Sequence, residues 1–233
     1  ADKDATKEIT ADDIVLISGV VPAITIAIQA FTEENDAVLI NTPLYPPFAR
    51  TIKLNNRKLV TNSLVEVSGK FTIDFAQLEK DIVDNDVKLY AFCSPHNPGG
   101  RVWTVAELTR IAELCQKYQV TLISDEIHQD LTLFNHQHHS FNTVGDYREF
   151  AIILTSATKT FNIAGTGTAY ALIENEDLKR KFKARQLMNN QHEVTTLGML
   201  ATETALTSGA PWLAALKPVL EENLAFLTDY FAS

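Results

Sequence analysis

The sequence predicts an α/β fold, a three-layer α/β/α sandwich built on a mostly parallel sheet. Three observations carry this. Short apolar runs of four to six residues alternate with helix-period segments from residue 14 to residue 173. The runs are apolar at consecutive positions, as strands buried on both faces are. Glycine, proline and isolated polar residues follow those runs, at strand ends rather than at random.

The elements follow in order. Residues 14–17 form a β-branched run. Gly19 then permits a tight turn, and Pro22 suits the first turn of a helix continuing through Ala23, Ile24, Ala27, Ile28 and Phe31. A strand-turn-helix start aims backbone N–H groups and the positive end of a dipole at one point, which suits a phosphate; it also occurs as a plain connection. The next strand covers 37–40 and ends in a loop with Pro43, Pro46 and Pro47, which is expected to stay rigid and non-helical until Phe48. Tyr45 lies between these prolines, as either a flat stacking surface or a surface plug. A short strand is expected at 59–60, and a helix at 74–83 with Asp74 as its N-cap.

Residues 88–93 read as a strand, followed by Ser94-Pro95-His96-Asn97-Pro98-Gly99-Gly100, a loop that leaves the Asn97 amide little freedom. Thr104 to Glu107 is a capping box opening a helix with Leu108, Ile111, Leu114, Cys115 and Tyr118 on one face. Residues 120–123 form a strand ending on Ser124-Asp125-Glu126-Ile127-His128. The stretch 129–149 reads as an irregular loop, and its His136, His138 and His139 lack the acidic or thiol partners that a metal site needs, so a solvated loop is expected. Residues 151–154 form a strand that breaks into Thr155, Ser156, Thr158 and Thr160 around Lys159. Residues 168–173 are a strand, and helices follow over 176–193, 195–207 and 211–231.

Bulk properties narrow the function. The 233 residues carry a formal net charge of -9. That argues against gripping a nucleic-acid backbone and against a polybasic membrane patch. No apolar run is long enough to span a membrane, and the first residues do not read as a signal peptide. Cys93 and Cys115 have no neighbouring cysteine, so a reducing, cytoplasmic setting is expected.

Gly19, Asn97, Asp125 with His128, and Lys159 all follow strands of one doubly wound sheet, whose carboxyl ends converge. A phosphate corner, an aromatic wall, an amide, an acid and an amine match the requirements of pyridoxal 5'-phosphate. The segments 94–100, 124–128 and 156–164 (Ser-Ala-Thr-Lys-Thr-Phe-Asn-Ile-Ala) resemble the fold-type I, class I/II aminotransferase superfamily, and within it the MalY/PatB branch of cystathionine β-lyases. The resemblance covers essentially the whole chain.

The resemblance implies that Lys159 is the lysine that binds the cofactor and shuttles the α-proton. It implies that Asp125 pairs with the pyridine nitrogen, Asn97 bonds the phenolic oxygen and Tyr45 stacks on the ring. Gly19 and Val20 match the turn that holds the phosphate. Ser156 matches the phosphate-binding hydroxyl, with Thr158 beside it. Two positions depart from the broad pattern. His128 stands where most members have Tyr, and it can still donate to the phenolic oxygen. Gly167 stands where most aminotransferases have an arginine that clamps the phosphate, leaving that group to the turn, to Ser156 and to a neighbouring subunit. Both departures resemble the β-lyase branch.

The resemblance further implies that residues 1–233 form the large cofactor-binding domain, with the small domain and its carboxylate-binding arginine outside this chain. The expected activity is a carbon–sulfur β-lyase acting on cystathionine- or cysteine-type amino acids. The alternatives are an aminotransferase, the aminotransferase-like domain of a transcriptional regulator, or a parallel-sheet domain that binds no cofactor. A homodimer is implied, with no metal, nucleic acid or membrane partner.

Overall fold

The computed structural model describes residues 9–145 and 147–232. In chain order the elements are β1 (Ile14–Ile17), α1 (Val20–Phe31), β2 (Ala37–Thr42), α2 (Pro47–Leu54), β3 (Lys58–Ser63), β4 (Val65–Val67), β5 (Lys70–Thr72), α3 (Phe75–Asp84), β6 (Val87–Cys93), α4 (Val105–Tyr118), β7 (Thr121–Asp125), β8 (Ala151–Thr155), α5 (Ala157–Thr160), β9 (Ala169–Leu172), α6 (Glu176–Met188), α7 (Thr196–Ser208) and α8 (Ala210–Ala232).

Seven strands form the main sheet in the order β1-β9-β8-β7-β6-β2-β3. The pairs β3/β2, β2/β6, β6/β7 and β7/β8 are parallel, and β9 is antiparallel to both β8 and β1. Six strands therefore point the same way, and β9 alone is reversed. The loops after β1, β2, β6, β7 and β8 leave the sheet at one edge.

Two apolar layers cover the sheet. Ala23, Ile24, Ala27 and Ile28 of α1, Phe48 and Ile52 of α2, and Phe182 of α6 pack on one face. Leu78 and Ile82 of α3 and Leu108, Ile111 and Cys115 of α4 pack on the other, with Phe141 and Phe150 from the loop before β8. Burial of this apolar area is the main source of stability, and each fully buried Leu, Ile or Phe contributes about 1.5–3 kcal/mol. At the β1 edge the cover is one-sided: Val15 and Ile17 are buried while Ile14 and Leu16 are exposed.

The helix ends follow the sequence. Asp74 Oδ1 accepts from the N–H groups of Ala76 and Gln77, both at 3.0 Å. Thr104 and Glu107 form the reciprocal capping box of α4. Four local features differ from expectation. The helix expected over 176–193 ends at Met188. The proline loop turns helical at Pro47 rather than staying extended, because a proline at the first helical position needs no N–H partner. A small β4–β5 hairpin occupies 65–72, too short to show a period in the sequence. Gly19 has φ 170° and ψ 164°, an extended conformation open to any residue, so no tight left-handed turn explains the glycine.

Candidate active site

The N-terminus of α1 supplies the first wall. The first intrahelical bond runs from Ala23 N–H to Gly19 O at 3.1 Å. The N–H groups of Val20 and Val21 therefore have no partner within the helix, and Pro22 has no N–H to give. A Cβ built on Gly19 would meet only the Pro22 ring, at 3.4 Å or more.

One cavity of about 270 Å³ gathers Gly19, Val20, Tyr45, Asn97, Asp125, His128, Thr158 and Lys159 in its wall. These residues stand at or just beyond the ends of five strands, β1, β2, β6, β7 and β8. Tyr45 is 44% exposed, with its ring at the rim. Asn97 and His128 are also walls of an adjoining cavity of about 480 Å³, whose other sides include Val102, Leu131, Leu133, Phe134 and Leu224.

Asp125 is the electrostatic centre. It is 5% exposed, at the last position of β7. Burial pushes its carboxyl up to about 7; the Ile127 N–H and the nearby Lys159 pull it down, while Glu126 pushes it further up. The Ile127 N–H donates to Asp125 Oδ1 at 3.1 Å. Among the described residues no cation lies within ion-pair distance of this carboxylate. A cationic group in the cavity would favour its charged form. Burial, and then Lys159, lower the pKa of His128, so its imidazole is held toward the neutral form.

Lys159 does not lie in an extended loop. It is the third residue of the one-turn helix α5 and is exposed. Ser156 caps that turn: its Oγ accepts from Thr158 N–H at 3.1 Å, donates to the Thr168 carbonyl at 2.6 Å and stands 2.8 Å from Thr158 Oγ1. The Ser156 hydroxyl is thus turned to the chain itself and is outside the cavity wall, whereas Thr158 is in it. Gly167 ends the 164–166 turn with φ 59°, in the left-handed region that disfavours a side chain such as arginine.

Sequence reasoning missed Cys93, which faces the same cavity beside Asp125 in the β6–β7 ladder. Burial raises its thiol pKa, and its Sγ donates to Pro95 O at 3.2 Å. The reading of the 129–149 histidines as solvated is corrected for His138: its Nε2 bonds Glu126 Oε2 at 3.1 Å and its side chain is 10% exposed. A buried carboxylate needs partners, and the loop folds back to provide them.

Residues 2–232 match the family model for aminotransferase class I and II. The chain belongs to the aminotransferase class I and II family. It is 36% identical over 218 residues to the cystathionine beta-lyase PatB of Bacillus subtilis, covering 93% of this chain and 56% of that protein. It is 32% identical over 231 residues to the protein MalY of Escherichia coli, covering 97% and 58%. Among solved structures, cystalysin from Treponema denticola superposes with a TM-score of 0.94 at 38% identity, over 97% of this chain and 57% of that one. That structure contains a pyridoxal 5'-phosphate cofactor. This family chain spans about half the length of the relatives it matches. No helix among the described residues is long and apolar enough to cross a membrane.

Proposed function

We propose that this chain is the cofactor-binding large domain of a pyridoxal-phosphate-dependent carbon–sulfur β-lyase. Its substrates would be cystathionine- or cysteine-type amino acids, and its products pyruvate, ammonia and a thiol. The observation that carries the reading is one cavity lined by Lys159, Asp125, Asn97, Tyr45 and the start of α1.

These residues fit the cofactor on physical grounds. A carboxyl held near 7 by burial is matched by a ring nitrogen that carries a proton. The uncommitted N–H groups of Val20 and Val21, at the positive end of the α1 dipole, suit a phosphate. The bare Gly19 backbone lets an anion approach closely.

When bound, the cofactor supplies an aldehyde that captures the substrate amine and a ring that takes up electron density from Cα. Lys159 Nζ, at the cavity wall, would be the amine that holds the cofactor's aldehyde and the base for the α-proton. Asp125 would keep the ring nitrogen protonated. Asn97 and His128 would hold the phenolic oxygen, and the Tyr45 ring would be the stacking surface. Ser156 acts through α5, holding the turn that aims Thr158 and Lys159. With that chemistry supplied, a thiolate would leave from the β-carbon with the C–S electron pair, and hydrolysis of the remaining enamine would give ammonia and pyruvate. The apolar walls of the adjoining cavity suit a thioether side chain.

The aminotransferase reading shares every step up to loss of the α-proton. It is favoured by the family match over residues 2–232. His128 and the left-handed Gly167 favour the lyase. A homodimer in the cytosol belongs to the same proposal: Leu200, Trp212 and Phe226 are exposed on α7 and α8, and both cysteines are free and buried. The test is to give cystathionine to the full-length protein. Release of free thiol without a keto acid is expected. Turnover that yields no thiol and requires a keto-acid acceptor would overturn the lyase reading.

A further inference from the structure

Glu126 is fully buried and lies outside the cavity wall, yet it joins three parts of the site. Its backbone N–H donates to Leu154 O at 2.7 Å, and its carbonyl accepts from Thr155 Oγ1 at 3.3 Å. Both contacts are to the end of β8, the strand that leads to Lys159. Its Oε1 accepts from Ser124 Oγ at 2.9 Å and from the Phe141 N–H at 2.8 Å, and its Oε2 from His138 Nε2 at 3.1 Å. The last two contacts tie the 138–141 segment to the residue that follows β7. On either side in sequence stand Asp125 and Ile127, the two partners of the hydrogen bond at the cavity wall.

A neutral acceptor would satisfy Ser124 and Phe141 equally well. A carboxylate costs more to bury, so its charge needs a reason. We propose that Glu126, held by His138, is a positioning residue for the site, fixing the Asp125–Ile127 turn and acting on Asp125 through its charge. The inference rests on the pyridoxal phosphate reading above. The charge opposes ionisation of Asp125, so the carboxylate that pairs with a cationic ring nitrogen forms at higher pH than it would beside a neutral residue. The other titratable groups facing Asp125 are Lys159 from α5, Cys93 from β6 and His128 from the following turn.

The test uses the full-length protein, freed of cofactor and titrated with pyridoxal phosphate by tryptophan fluorescence between pH 5.5 and about 8.5, a range that brackets the Asp125 carboxyl. His138→Leu removes the donor to Glu126 and should weaken cofactor binding about tenfold at neutral pH, as loss of a bond to a charged group does. His138→Gln keeps an N–H at similar reach and should recover to within about threefold of wild type. Glu126→Gln should move the pH midpoint of cofactor binding downward. A purely structural contact would change affinity by one factor at every pH. Wild-type affinity in His138→Leu, or an unmoved midpoint in Glu126→Gln, overturns the inference while leaving the cofactor reading intact. If wild type itself binds no pyridoxal phosphate, both fall. If Glu126→Gln does not fold, the two His138 variants decide.

Discussion

Cys93 and Asp125 are direct neighbours across the parallel β6–β7 ladder, and both face the same cavity. Their side chains share a wall between a cis-proline loop and a strand end, with cis peptides at Ser94–Pro95 and Asn97–Pro98. Burial raises the pKa of each. The two acids thus resist ionisation in the free protein, and only a positive group in the cavity reverses this for Asp125.

That has a consequence for stability. The Asp125 carboxyl rises from 3.8 to about 7 on folding. The folded state therefore holds this proton more tightly between those values. Its contribution is fully present below about pH 4 and is lost as pH rises through 7. Cofactor-free protein should lose on the order of a few kcal/mol from this group between pH 5 and pH 8. Asp125→Asn should flatten that slope. Urea unfolding at the two pH values checks it, and equal slopes in both proteins would contradict it.

Lys159→Ala should abolish covalent capture of the cofactor. Borohydride treatment followed by mass spectrometry should show no added mass on the variant, in contrast to wild type. Turnover should fall by about 10²–10⁴-fold, the range for loss of a positioned proton-transfer group. A variant that retains most of its activity would remove Lys159 from the mechanism.

Gly19→Ala separates folding from binding. The backbone is extended there and the new methyl meets only Pro22. Stability should change by less than about 1 kcal/mol. Pyridoxal phosphate affinity should drop roughly tenfold, because the methyl would stand at the proposed phosphate corner. Thermal melting and a cofactor titration together read both effects.

Gly198→Ala should do the reverse. A Cβ on Gly198 would lie 2.0 Å from Thr168 Oγ1 and 2.6 Å from Thr166 O. Thr168 also provides the carbonyl that holds Ser156. Overpacking of this kind costs about 1–3 kcal/mol. A lowered melting temperature is expected, with cofactor affinity falling less than in Gly19→Ala.

Much of this was legible in the sequence because it rests on local pattern. The runs at 14–17, 37–40 and 151–154 are apolar at consecutive positions, and all became strands buried on at least one face. The α4 capping box was readable for the same reason. What failed was what neighbours decide. Pro47 reads as a loop residue until the helix behind it is known. His138 reads as solvated until Glu126, twelve positions earlier, is seen to need a partner.

The sequence by itself determined the alternation of strand and helix, and with it the α/β class, because hydrophobic periodicity is a property of adjacent residues. It also determined which residue types stand at the strand ends. Only the tertiary structure decided that β9 runs against its neighbours, that five strand ends share one cavity, and that Asp125 is dry enough to hold its proton near neutral pH. Strand order and desolvation depend on contacts between segments far apart in the chain, and those are fixed when the layers pack.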